Sequence, residues 1–160
     1  MARLPEGIHL LWPTVGAWVF EAAEAGPTAI VQAGIHGDEI AGVHALQEML
    51  EEGIRPRKGR LIVIPVMNPG AYRARTRAAP GGLDLNRQFP GDPAAERYEP
   101  RLAARFMQLV LDEQPALVAT LHESKKRYHR SVVVPSRSGR RWCMASPPAL
   151  LKFSSRSWRG

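Results

Sequence analysis

A three-layer α/β domain, with helices on both faces of a mixed, largely parallel sheet, is predicted by three features of the chain. Short apolar runs of strand character alternate with amphipathic helical patterns. Gly or Pro punctuates the joints between them, and the polar residues with chemical potential fall at the ends of the runs.

Taken in order, Ile8-His9-Leu10-Leu11-Trp12 is an apolar stretch cut by Pro13, too short and too poorly charged on its N-terminal side for a secretory signal. Trp18-Val19-Phe20 and Thr28-Ala29-Ile30-Val31-Gln32-Ala33 have strand character, the second ending at Gly34. Asp38 opens a helical pattern that places Ile40, Val43, Leu46, Met49 and Leu50 on one face and stops at Gly53. Glu39 is thereby expected in a first helical turn. Leu61-Ile62-Val63-Ile64-Pro65-Val66 is apolar throughout, the mark of a strand buried on both faces, and Asn68-Pro69-Gly70 turns the chain out of it. A helix over about Arg101 to Asp112 carries the stripe Leu102, Phe106, Leu109 and Val110. Gln114-Pro115 ends it, and the strand Ala116 to Leu121 delivers His122.

Composition narrows the class. The chain has 160 residues, 44% of them hydrophobic, which suits one globular domain. One cysteine, Cys143, excludes an internal disulfide, so the expected setting is cytoplasmic, and no apolar run is long enough to cross a membrane. The formal charge is +7. It is unevenly placed: residues 124–160 hold ten Lys or Arg and no acid, leaving twelve basic against fifteen acidic residues in 1–123, a net of −3. A body over 1–130 is therefore set apart from a basic tail over 131–160. That tail lacks a clear period of either kind beyond a strand-like Ser131 to Pro135, and it reads as disordered or as the product of a shifted frame. Nucleic-acid binding through the tail, with Trp142 and Trp158 stacking on bases, is the weaker reading because no nucleic-acid fold motif accompanies it.

The chemistry is concentrated in Gly34-Ile35-His36-Gly37-Asp38-Glu39 and in Leu121-His122-Glu123. His-x-x-Glu alone is a weak signal, since a surface histidine beside a helix-start carboxylate gives the same letters. A second histidine delivered by another strand completes an imidazole, carboxylate, imidazole set, which binds zinc in hydrolases and leaves one position for water. Between these elements lie Arg73, Arg75 and Arg77 and the turn-rich Asp84-Leu85-Asn86-Arg87-Gln88-Phe89-Pro90-Gly91. Arginine beside asparagine supplies donors for a carboxylate, and a separate arginine can stabilise an oxyanion.

His36-x-x-Glu39, Asn68-Pro69 with arginines downstream, Asp84-Leu85-Asn86-Arg87-x-Phe89-Pro90-Gly91 and Leu121-His122-Glu123, in this order, resemble the succinylglutamate desuccinylase/aspartoacylase family, part of the zinc carboxypeptidase-like group. The resemblance covers roughly residues 28–123. It implies a zinc carboxypeptidase-like fold, incomplete at the C-terminus, with one Zn²⁺ per chain held by His36, Glu39 and His122. Asn86 and Arg87 would hold the carboxylate of the substrate. Arg77 would sit by the scissile carbonyl, with Arg75 its close rival. The reaction implied is hydrolysis of the amide of an N-acyl amino acid by metal-activated water. A zinc carboxypeptidase or murein-peptide amidase acting on peptides is the alternative. The chain departs from the family in one respect: members carry a general-base glutamate well beyond the third ligand, whereas no acid follows Glu123 here, and a base is not found. Glu123 adjoins the ligand and does not occupy the position of the base. A catalytically impaired zinc-binding remnant is therefore a third reading.

Overall fold

In the computed structural model the described residues are 3–124, together with the backbone of 133–135 and 141–143. Five strands form one sheet: β1 (Gly7–Trp12), β2 (Val15–Glu21), β3 (Thr28–Ala33), β4 (Arg60–Ile64) and β5 (Leu117–Leu121), in the order β1-β2-β4-β3-β5. β1 and β2 pair antiparallel, as do β2 and β4, whereas β4, β3 and β5 run parallel. The expected mixed sheet is thus a parallel core with an antiparallel edge. Two further short strands, β6 (Val133–Pro135) and β7 (Arg141–Cys143), pair antiparallel with each other. The rest of the basic segment 131–160, including Trp158, lies outside the described residues, and so does the side chain of Trp142.

Side-chain alternation along the strands builds two cores. Ala17 and Val19 of β2, Ile30 of β3, and Ile62 and Ile64 of β4 face Leu102, Ala103, Phe106 and Leu109 of helix α3 (Tyr98–Glu113). Phe20, Ala33 and Val63 point the other way, onto Val43 and Leu46 of helix α1 (Ala41–Glu51). Full burial of each such aliphatic side chain is worth roughly 1.5–3 kcal/mol, so both faces of the sheet are firmly held. A third, short helix, α2 (Pro69–Ala74), follows β4.

Two local expectations are corrected by the structure, and one strand is added. α1 starts at Ala41 and not at Asp38, because His36 to Ile40 form a tight turn in which the Glu39 amide donates to the His36 carbonyl (3.3 Å). Asn68-Pro69-Gly70 opens α2 where a turn was expected: the Asn68 side chain accepts from the Ala71 amide (3.2 Å), and Pro69 sits at the first helical position, where its missing N–H costs nothing. Ile8 to Trp12 lies within β1, although Ile8 and Leu10 are exposed.

At the pole where β3 and β4 begin, Arg60 and Glu113 are both buried and joined by two hydrogen bonds, Nε to Oε2 (2.9 Å) and Nη2 to Oε1 (3.1 Å). Glu113 also accepts from the Leu4 amide (2.8 Å), and Arg60 donates to Glu21 and to the Leu4 carbonyl. Residue 4 is tied in this way to α3 and β4. Glu113→Ala would leave the Arg60 guanidinium short of its main counter-charge in a buried place, and the expected loss is about 3–5 kcal/mol of unfolding free energy in urea. A loss under about 1 kcal/mol would show that Glu21 and the Leu4 carbonyl suffice for Arg60.

Candidate metal centre

β3 is the strand from which the chain departs to β4 on one side and to which β5 returns on the other. In open α/β sheets the carboxyl end of such a strand is where a crevice opens. Ala33 pairs with Leu121, so the segments that leave β3 and β5 emerge side by side. Gly34 takes φ +67, a left-handed conformation that favours glycine, and redirects the chain toward His36. Gly37 is needed for a different reason. Its φ is not positive, but a Cβ there would lie 1.9 Å from the carbonyl carbon of Ala71, so only glycine lets this turn lie against α2.

The structure brings His36, Glu39 and His122 together, their donor atoms all within 4.8 Å of one another. Glu39 is the bridge: Oε1 accepts from His36 Nδ1 and Oε2 from His122 Nδ1, each at 2.7 Å. Oε2 also accepts from the Glu123 amide (3.2 Å). Burial pushes the Glu39 carboxyl up, but hydrogen bonds from His122 and His36, the charge of His36 and the Glu123 amide outweigh it and hold the group well below the usual carboxylate range.

Sequence reading passed over Asp84. Its Oδ1 accepts from His36 Nε2 (3.1 Å) and from the Asn86 amide (3.0 Å), and its Oδ2 accepts from Arg77 Nε (2.9 Å). A carboxylate on the far nitrogen of a ligand histidine keeps a proton at Nε2, so Nδ1, which here donates to Glu39, is the nitrogen that would give up its proton to receive an ion. Burial opposes ionisation at Asp84 and is overcome first by Arg77 and then by His36, so this carboxyl too is lowered. Only the distance of 48 residues from His36 hid the role, for the Asp84-Leu85-Asn86 spacing does signal a cap.

The other site residues fall as follows. Arg77 is half exposed and reaches the cluster, with Nη1 3.7 Å from Glu39 Oε1. Arg75 is exposed, with its guanidinium 5.3 Å from the centre of the Tyr72 ring. Asn86 and Arg87 lie in a 3-10 turn, Leu85–Arg87, anchored by the fully buried Leu85 and capped by Asp84. Asn86 is half-buried and Arg87 exposed.

The donor set fits zinc: two imidazole Nδ1 atoms and one ionised carboxylate converge, and the outer nitrogen of His36 is already held by Asp84. His₂Glu on such a framework defines a broad class of zinc-hydrolase centres. The chain belongs to the succinylglutamate desuccinylase/aspartoacylase catalytic-domain family, whose model it matches over residues 25–145. It is 42% identical over 100 residues to the N-alpha-acetyl-L-2,4-diaminobutyric acid deacetylase of Halomonas elongata, a match covering 61% of this chain and 28% of that protein. Among solved structures it is similar to a succinylglutamate desuccinylase/aspartoacylase from Rhodobacter sphaeroides (TM-score 0.61, 32% identity, 68% of this chain and 33% of that one). It is also similar to the murein-tripeptide amidase MpaA of Escherichia coli O157 (TM-score 0.56, 27% identity, 78% and 63%). The chain therefore spans about a third or less of the first two relatives. No helix among the described residues is long and apolar enough to cross a membrane.

Two outcomes follow from this geometry. Asp84→Asn is expected to weaken zinc binding about 10- to 100-fold in a chelator competition titration. In the metal-free protein, Glu39 has a lowered folded value, so the unfolded chain binds more protons in acid, and the contribution of Glu39 is complete above the ordinary carboxylate range and lost as pH falls. Unfolding free energy should therefore decline from about pH 5 downward less steeply in Glu39→Gln than in the parent chain, measured as a series of urea curves.

Proposed function

We propose that the chain is a zinc-dependent hydrolase that cleaves the amide bond of an N-acyl amino acid. The observation that carries this reading is the meeting of His36, Glu39 and His122 in one cluster with Arg77 at its rim, in a chain of this family. His36, Glu39 and His122 would hold one Zn²⁺. When bound, zinc acts as a Lewis acid that acidifies water and polarises an acyl carbonyl.

The remaining work falls to side chains. Arg77 is anchored by Asp84 through Nε, which leaves its terminal nitrogens directed at the rim of the cluster, where an N–H can meet the developing oxyanion. Asn86 and Arg87 stand on the turn capped by the same Asp84 and offer an amide and a guanidinium to the substrate carboxylate. No proton-transferring base is assigned. The Glu123 carboxylate, which follows directly on His122 and accepts from the amide of Ala41, is not given that part. Residues 1–130 are proposed as the catalytic domain, and the likeness to the murein-tripeptide amidase supports a peptide substrate as the second reading.

Purified chain is expected to carry about one equivalent of zinc, and His36→Ala less than about half of that, since three protein ligands define such sites. Equal zinc in both would refute the assignment. Against N-acyl amino acids, Arg77→Ala should lower kcat roughly 10²–10³-fold. Arg87→Ala should chiefly raise KM, by about 10- to 100-fold, as expected for loss of a charged hydrogen bond. Turnover no greater than that of His122→Ala would mark a zinc-binding chain without catalysis, and turnover confined to short peptides would favour the amidase reading.

A further inference from the structure

The end of β5 and the start of α1 are joined by a reciprocal pair of hydrogen bonds. The Glu123 amide donates to Glu39 Oε2 (3.2 Å), and the Glu123 carboxylate accepts from the amide of Ala41 (3.2 Å), the first residue of α1. The first amides of a helix have no partner within it and carry the positive end of its dipole. In α1 the preceding residue, Ile40, supplies no side-chain cap, and the first turn contains no acid. A carboxylate 82 residues further along the chain serves there instead of a local Ser, Thr or Asp. The seating is close, for a Cβ on Gly42 would lie 2.8 Å from the Leu121 Cβ.

We infer that Glu123 is a positioning residue for the metal centre: by clasping the first turn of α1 to the end of β5, it sets the separation of Glu39 and His122. Glu39 lies two residues before Ala41 and His122 one residue before Glu123, so the two hydrogen bonds bracket the two ligands. Beyond them, the ligands are related through their own hydrogen bond (His122 Nδ1 to Glu39 Oε2, 2.7 Å), the β3/β5 ladder and the packing of α1, of which the first gives way when an ion takes up the donor atoms. The inference rests on the zinc reading above.

Cobalt(II), whose visible bands report ligand geometry, is the probe, added to the full metal-free chain and to Glu123→Ala, Glu123→Gln and Leu109→Ala. Leu109 packs on the opposite face of the sheet and serves as a control for lost stability. Glu123→Ala is expected to bind cobalt about tenfold more weakly with altered bands, and Glu123→Gln, which keeps an acceptor oxygen, to stay within about threefold. Leu109→Ala should melt at a lower temperature yet keep the parent affinity and spectrum. Parent-like affinity and bands in Glu123→Ala would overturn the proposal, and so would an equal loss in Leu109→Ala. Amide exchange in the metal-free chain gives a second reading: Ala41 should exchange about tenfold faster in Glu123→Ala and at the parent rate in Glu123→Gln. Parent chain that takes up no cobalt refutes the zinc assignment and not the clasp, which exchange at Ala41 then decides: unchanged exchange in Glu123→Ala refutes it, and faster exchange sustains it.

Discussion

Parallel pairing of β3 with β5 is the constraint on which the centre depends. A histidine at position 36 and another at 122 have no local reason to meet. The register that sets Ala33 opposite Leu121 makes them neighbours, because each strand releases its ligand within three residues of that pair. A slip of one residue in this ladder would turn the buried side chains of one strand to the other face and carry His122 away from Glu39. On the β3 side the register is protected by burial, since Ile30 and Ala33 are fully buried on opposite faces, whereas β5 is exposed or half-buried along its length.

The two poles of the sheet use charge differently. At the amino ends of β3 and β4, Arg60 and Glu113 satisfy each other in a buried place and draw in the backbone of Leu4, so little of their hydrogen-bonding capacity is left over. At the carboxyl ends, Glu39 and Asp84 are held ionised by histidines and an arginine, in a cluster whose contacts an ion can replace. Histidine suits the second place because its neutral form is itself a metal ligand, whereas the Arg60 guanidinium remains a cation and cannot ligate.

How far the sequence disclosed this structure depends on how local each signal is. β3 was legible to the residue, since Pro27 and Gly34 bracket an apolar run of strand length. β1 was not read as a strand, because Ile8 and Leu10 are apolar yet exposed, so the alternation that marks a half-buried strand is blurred. α2 was hidden by its brevity: Asn-Pro-Gly has the letters of a turn and equally those of a capped helix start, with Asn68 as the cap and Pro69 as the first helical residue. The three candidate ligands were legible as a set because each closes or follows a strand. Asp84 and Glu123 were not, since what they do is defined by partners 48 and 82 residues away.

Asp84 shows why the parts of this site are not separable. One carboxylate caps the turn that carries Asn86 and Arg87, holds the outer nitrogen of His36 and anchors Arg77. A displacement of the Asn86-Arg87 turn therefore pulls on a proposed ligand and on the proposed oxyanion donor together. Glu39 is shared in the same way, between two imidazoles and the amide of Glu123. Groups that share a hydrogen-bonded partner couple by about 0.5–3 kcal/mol in double-mutant cycles, which is the size of a single charged hydrogen bond. The free energy assigned to any one of these side chains is then a property of the network, and a substitution at Arg77 reports partly on how Asp84 settles onto His36 once the arginine is gone.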